Sequence, residues 1–115
     1  MLNELSQKCH EANKKWWKDP KTGYPIARNK GEMIALMHSE LSEALEGERK
    51  DLPDDKLPHR RMAEVEFADI LIRIFDYCGA YGYDLDGAFE EKMAYNKNRA
   101  DHTFEARQAV HGKKF

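Results

Sequence analysis

The stretch Val65-Glu66-Phe67-Ala68-Asp69-Ile70-Leu71-Ile72-Arg73-Ile74-Phe75-Asp76-Tyr77-Cys78 decides how this chain folds. Placed at about 100° per residue, its apolar side chains cover an arc of roughly 220°, far wider than the stripe of a surface helix. Such a helix belongs at the centre of a bundle. The stripe that remains is polar and consists of Glu66, Asp69, Arg73 and Asp76. On a helix buried over most of its circumference, an acidic stripe faces an internal cleft. Glu64 projects into the apolar arc, but it stands in the first turn, where it can escape to solvent.

Outward from this segment the chain is punctuated by turn residues and shows helical periodicity between them. The breaks are Asp19-Pro20-Lys21-Thr22-Gly23-Tyr24-Pro25, the stretch from Asp51-Leu52-Pro53 to Pro58, and Gly79 to Asp84. Helices are expected at about 2–18, 30–50, 59–79 and 85–99. Asn29-Lys30-Gly31-Glu32 has the form of a capping box, and Asp84 can cap the fourth helix in the same way. Residues 100–115 read as a polar C-terminal tail, mobile or held by a partner. The expectation is an all-α four-helix bundle built as one domain over 1–115. One thin bundle cannot cover so apolar a third helix, so a homodimer or homotetramer is expected to bury the remainder.

Composition narrows the function classes. A length of 115 residues fits one domain, and 35% charged residues require a heavily solvated exterior. Lys+Arg 19 against Asp+Glu 21 gives a net charge of −2, which speaks against stable nucleic-acid binding. No run is long and apolar enough for a membrane span, and the N-terminal stretch lacks the apolar core of a signal peptide, so a cytoplasmic protein is expected. Cys9 and Cys78 have no metal-binding spacing and read as reduced thiols.

The second helix places Met33, Ile34, Met37, Leu41, Ala44 and Leu45 on one face, with Glu40 and Glu43 beside it. Two carboxylates at i, i+3 repel each other unless a cation sits between them. The full pattern is Glu40-x-x-Glu43, 22 intervening residues, then Glu66-x-x-Asp69. If the two helices pack antiparallel, all four acids can converge on one point. Hard oxygen ligands without His or Cys suit Mg²⁺, with Mn²⁺ possible, rather than zinc. The plain alternative is four solvated helix-surface charges.

In the fourth helix Lys92, Asn96 and Arg99 share a face at i, i+4, i+7. They can hold phosphate oxygens, or they can be a solvated flank. Lys113 and Lys114 could add charge from the tail. In the first segment Asn13, Trp16 and Trp17 offer an amide and indoles for a base or sugar. Adjacent tryptophans cannot share one helix face, and core packing is the ordinary fate of either. His10, His38, His59, His102 and His111 form no pair with metal spacing and adjoin no nucleophile.

The stretch from Gly31 to Glu46, together with Glu66-Phe67-Ala68-Asp69-Ile70-Leu71-Ile72-Arg73 and Glu91-Lys92-Met93-Ala94-Tyr95-Asn96-Lys97-Asn98-Arg99, resembles the motif helices of MazG-like nucleotide pyrophosphohydrolases. The ending His111-Gly112-Lys113-Lys114-Phe115 is similar to that of some members. The resemblance implies an all-α NTP pyrophosphatase fold, homo-oligomers and Mg²⁺-dependent hydrolysis of (d)NTP to (d)NMP and pyrophosphate. It makes Glu40, Glu43, Glu66 and Asp69 the metal carboxylates and Lys92, Asn96 and Arg99 the phosphate-side residues. Asn13, Trp16 and Trp17 remain the candidates for the base and sugar. Glu43 is expected nearest the attacking water, with Glu40 its rival. Two other readings are a non-catalytic nucleotide–metal sensing or assembly module and a purely structural helical oligomer.

Overall fold

A computed structural model of the chain describes residues 1–99 and 104–113. The helices are α1 (Leu2–Ala12), α2 (Lys30–Lys50), α3 (Met62–Tyr81), α4 (Leu85–Asn98) and α5 (Phe104–Gln108), with a 3-10 turn at Lys14–Trp17. Among the described residues there is no strand, only the isolated bridges Lys18 to Pro25 and Pro53 to Arg61. The all-α expectation therefore stands. No described helix is long and apolar enough to cross a membrane.

The chain divides into two compact units, Met1–Tyr83 and Asp84–Phe115. In the first, α3 packs against both α1 and α2, the central position its apolar arc predicts. Yet Phe67 and Leu71 remain 50% exposed, so the burial expected around the whole arc is incomplete. The second unit holds α4 and α5. Part of the stretch read as a tail is thus helical, while residues 100–103 and 114–115, among them His102 and Lys114, lie outside the described residues.

Local chemistry sets the helix ends. Asn29 Oδ1 accepts from Glu32 N at 2.9 Å and starts α2. Asp84 does the same for α4 through Gly87 N at 3.0 Å. The third helix begins at Met62 rather than near 59, because Arg61 N donates to Glu64 Oε1 at 3.1 Å as part of a capping box. This bond explains why Glu64 can stand outside the apolar arc. The first α-helix stops at Ala12, short of 18: Asn13 Nδ2 donates to Cys9 O at 2.8 Å and competes with continued helix.

The third helix also runs past Gly79, which the sequence reading treats as part of a break. Its left-handed cap is Gly82, with φ 67°, and Tyr83 N closes back on Cys78 O at 3.0 Å. Gly79 has a different task. A Cβ there would stand 2.4 Å from the backbone oxygen of Ser6 and 2.9 Å from His10 Cβ. Only glycine lets α1 lie this close. Gly79→Ala would gain about 1 kcal/mol of helix propensity. Against a backbone atom that cannot rotate away, it also meets an overpacking cost of about 1–3 kcal/mol. Urea unfolding is expected to show a net loss of stability, and a more stable variant would contradict this account of the α1–α3 contact.

Candidate functional site

The seam between α2 and α3 is antiparallel, because contacts descend one helix as they climb the other. Gly47 abuts Met62, with room for no Cβ at 2.9 Å. One turn further Glu43 meets Glu66, and beyond them Glu40 meets Arg73. Met33, at the far end, shares a crevice with Asp76 and Tyr77. The stripe of α2 turned to α3 includes the buried Met33, Ala44 and Gly47. Glu40 falls within that stripe rather than beside it, while Ile34, Leu41 and Leu45 lie on an exposed flank.

This register gathers one oxygen each of Glu40, Glu43 and Glu66 within 4.8 Å of one another. Two opposed ligands on a small divalent ion span about 4.2 Å, so a modest side-chain torsion closes the set around a cation. Glu66 is 8% exposed, and its Oε2 is buried without a hydrogen-bond partner. Its neighbours are carboxylate oxygens, which cannot donate, so a proton or a cation must satisfy it. Sharing a proton with Glu40, then burial, then Glu43 push the Glu66 carboxyl up to about 8. Glu40 has one counterion, Arg73 Nη2 at 3.3 Å.

Asp69, the fourth expected ligand, stands outside the tight trio. It is exposed, and it lines two clefts together with Glu40. Desolvation by the walls, followed by the charge of Glu40, raises its pKa, while Arg73 opposes the rise. The larger cleft, about 920 Å³, also contains Glu43, Glu66, Asp54 and Lys56. Asp54 is held rigidly there, accepting from Lys56 N at 3.0 Å and Leu57 N at 2.8 Å. The smaller, about 470 Å³, contains Asn13, Trp16, Arg28, Arg73 and Asp76. The acids thus occupy a junction between two differently lined clefts.

Asn13 and Trp16 line the smaller cleft, but Trp17 lines neither. Its indole Nε1 donates to Asp76 at 3.0 Å, and its ring meets His10 and Tyr81 edge-on. His10 Nδ1 lies 2.9 Å from the same carboxylate and carries the hydrogen there. Asp76 therefore ties α1 and the 3-10 turn to α3. Lys92, Asn96 and Arg99 belong to the second unit, where Lys92 and Arg99 lie over the Tyr95 ring at 4.8 and 5.7 Å. Asn96 Oδ1 is buried without a hydrogen-bond partner. Cys9 and Cys78 are free, and burial raises both thiol pKa values.

Sequence reasoning gave no role to Arg28, Asp54, Arg73 or Asp76. Arg73 and Asp76 were visible in the polar stripe of α3, at helical spacing from Asp69. Asp54 was visible only as a turn residue, and Arg28 carried no local signal. Comparisons with protein-family models, curated proteins and solved structures returned no match.

The Glu66 shift fixes a sign for stability. Between its ordinary value and about 8, the folded chain holds a proton that the unfolded chain has released. Stability from this group is complete below the ordinary value and is lost as pH rises through about 8. With a chelator present, the melting temperature is expected to fall between mildly acidic and mildly alkaline pH. Glu66→Gln should flatten that slope and melt higher than the parent on the alkaline side. An unchanged slope would separate Glu66 from the acid repulsion.

Proposed function

We propose that this chain is a divalent-cation-dependent nucleoside triphosphate pyrophosphohydrolase, built on a MazG-like bundle and acting in clearance of nucleotides. The observation that carries the reading is the buried, partnerless Glu66 Oε2 beside the oxygens of Glu40 and Glu43. Such an oxygen is satisfied by a proton or by a cation, and a cation held by three hard carboxylates has the chemistry to take a polyphosphate. Mg²⁺, or Mn²⁺, bound there supplies charge neutralisation and a more acidic water.

The remaining work falls to the chain itself. Glu66 is fixed by burial, and Glu40 by Arg73. Glu43, the exposed member of the trio, is free to orient a water and accept its proton. Attack by that oxygen on the α-phosphorus breaks the bond to the bridging oxygen of the β-phosphate. The products are a nucleoside monophosphate and pyrophosphate. Asp69, exposed and shared by the two clefts, completes the acidic set. Lys92, Asn96 and Arg99 are assigned to the phosphate oxygens, and Asn13 and Trp16 to the base and sugar. Trp17 supports that end of the site through Asp76.

Exposed apolar side chains support a homo-oligomer. Ile34, Leu41 and Leu45 form one stripe of α2, each between 43% and 52% exposed, and Phe67 and Leu71 lie half exposed on α3. Light scattering on the eluting protein at micromolar concentration is expected to give a dimer or tetramer mass, and a monomer mass would remove this part of the reading.

The deciving assay for the reaction is a panel of ribo- and deoxyribonucleoside triphosphates with and without Mg²⁺, the products separated by chromatography. Monophosphate plus pyrophosphate, formed only with the cation, is expected. Glu43→Gln should keep the helical spectrum and lower turnover by about a hundredfold or more. Diphosphate plus phosphate would overturn the bond assignment. Binding without turnover would establish the sensing module instead.

A further inference from the structure

A hollow that contains none of the acidic trio takes no part in the proposed hydrolysis. It measures about 460 Å³ and is lined by Trp17, Tyr81, His10 and the run Pro25-Ile26-Ala27. Arg28 and Lys30 supply its full charges, and no carboxylate lines it. We propose that this hollow binds a small phosphomonoester, with the phosphate on Arg28 and Lys30 and the uncharged body against Ile26 and the ring edges. Binding there needs neither a cation nor hydrolysis, and so stands apart from the reading above.

The charges are the first support. The chain carries more acid than base, 21 against 19, so two cations sharing a hollow without an acid run against its general balance. Neither Arg28 nor Lys30 pairs with a carboxylate among the described residues. Each rests on a ring of the hollow instead. Arg28 Cζ lies 4.9 Å from the Trp17 ring centroid, and Lys30 Nζ lies 4.4 Å from that of Tyr81. Such a contact orders a cationic side chain without neutralising it. The two rings meet edge-on at 5.8 Å, which sets both cations on adjoining walls. Asp76 bonds to two of the lining residues, but its oxygens are taken by His10 at 2.9 Å and Trp17 at 3.0 Å.

Backbone geometry brings the cations to one side. Asn29, between them, is extended, with φ −76° and ψ 117°. The neighbours of an extended residue project to the same face, and their Cα atoms stand no more than about 7 Å apart. One phosphate can therefore take the Arg28 fork and the Lys30 ammonium together. Lys30 is also the first residue of α2, the end at which the helix dipole favours an anion. A phosphomonoester carries a charge of about −1.5 to −2 at neutral pH and matches two cations, whereas a carboxylate leaves one unmatched. Ile26 is 43% exposed, and with Pro25, Ala27 and Ala80 it makes the rest of the lining apolar. The volume suits a small organic molecule rather than inorganic phosphate alone.

The test is titration of phenyl phosphate, inorganic phosphate and benzoate into the full chain with a chelator present. Trp16→Phe leaves Trp17 as the only indole, so its emission reports on the hollow. Phenyl phosphate is expected to bind about tenfold more tightly than either of the others, because benzoate lacks the second charge and inorganic phosphate lacks the body. Lys30→Gln should lower that affinity about tenfold, and Lys30→Arg should keep most of it. Lys30 is exposed and lines neither acidic cleft, so the glutamine should leave the fold intact and the loss locates the phosphate. Arg28→Gln is expected to weaken phenyl phosphate likewise. Benzoate binding as tightly as phenyl phosphate, an affinity unchanged by Lys30→Gln, or no binding of phenyl phosphate at millimolar concentration would overturn the proposal. The triphosphate panel reads something else: absence of turnover leaves this hollow untouched, and absence of anion binding here leaves the hydrolase as it stands.

Discussion

Everything at the centre of this molecule follows from one costly packing choice: α2 lays Glu40 on the seam where α3 presents Glu66. A buried seam stripe is ordinarily apolar, and Met33, Ala44 and Gly47 follow that rule along the same stripe. Placing acid against acid instead leaves an oxygen without a donor and holds a carboxyl proton up to about 8. Repulsion of this kind is tolerated in a stable fold when something else in the structure demands it. Arg73 relieves part of the strain from one side, through Glu40. On the other side Glu66 answers the remaining repulsion by keeping its proton up to about 8.

The rest of the first unit holds this seam in register and furnishes its surroundings. Gly79 lets α1 come within contact of α3, so that His10 and Trp17 can reach Asp76. Those bonds fix the start of the 19–29 loop. Ile26 N then returns to Trp17 O at 3.0 Å, which brings Arg28 back beside the cleft. Asn13 acquires its place by the same route, since the bond to Cys9 O that ends α1 also orients its amide. A glycine on the far side of α3 thus helps determine which polar groups stand near Glu40 and Asp69.

Much of this was legible in the sequence, because local patterns carry it. The caps at Asn29 and Asp84 and the bounds of α2 needed only short-range chemistry, and the wide apolar arc of 65–78 identified the central helix. The four acids were found by spacing, and three of them converge. Phase was harder. The apolar arc of α2 is wider than its seam, so hydrophobicity alone centred the face between the buried stripe and the exposed Ile34, Leu41 and Leu45. That shift moved Glu40 from the seam to its edge. The end of α3 was misplaced because Gly79 resembles punctuation, whereas its purpose lies in a helix more than sixty residues earlier in the chain. Arg28 was invisible as a site residue for the same reason, since its position depends on bonds between elements distant in sequence.

The two clefts differ in what they can solvate, and this difference has a consequence for any ligand that spans them. One is dominated by carboxylates and becomes hospitable to anions only when a cation is present. The other sets two guanidinium groups, Arg28 and Arg73, against three carboxylates and so carries donors of its own whether or not a cation has arrived. A ligand with a polyanionic end and a neutral aromatic end would therefore be held by two unlike sets of forces meeting at Glu40 and Asp69. Arg73 connects them, because its guanidinium lines the second cleft and pairs at 3.3 Å with Glu40, which lines both.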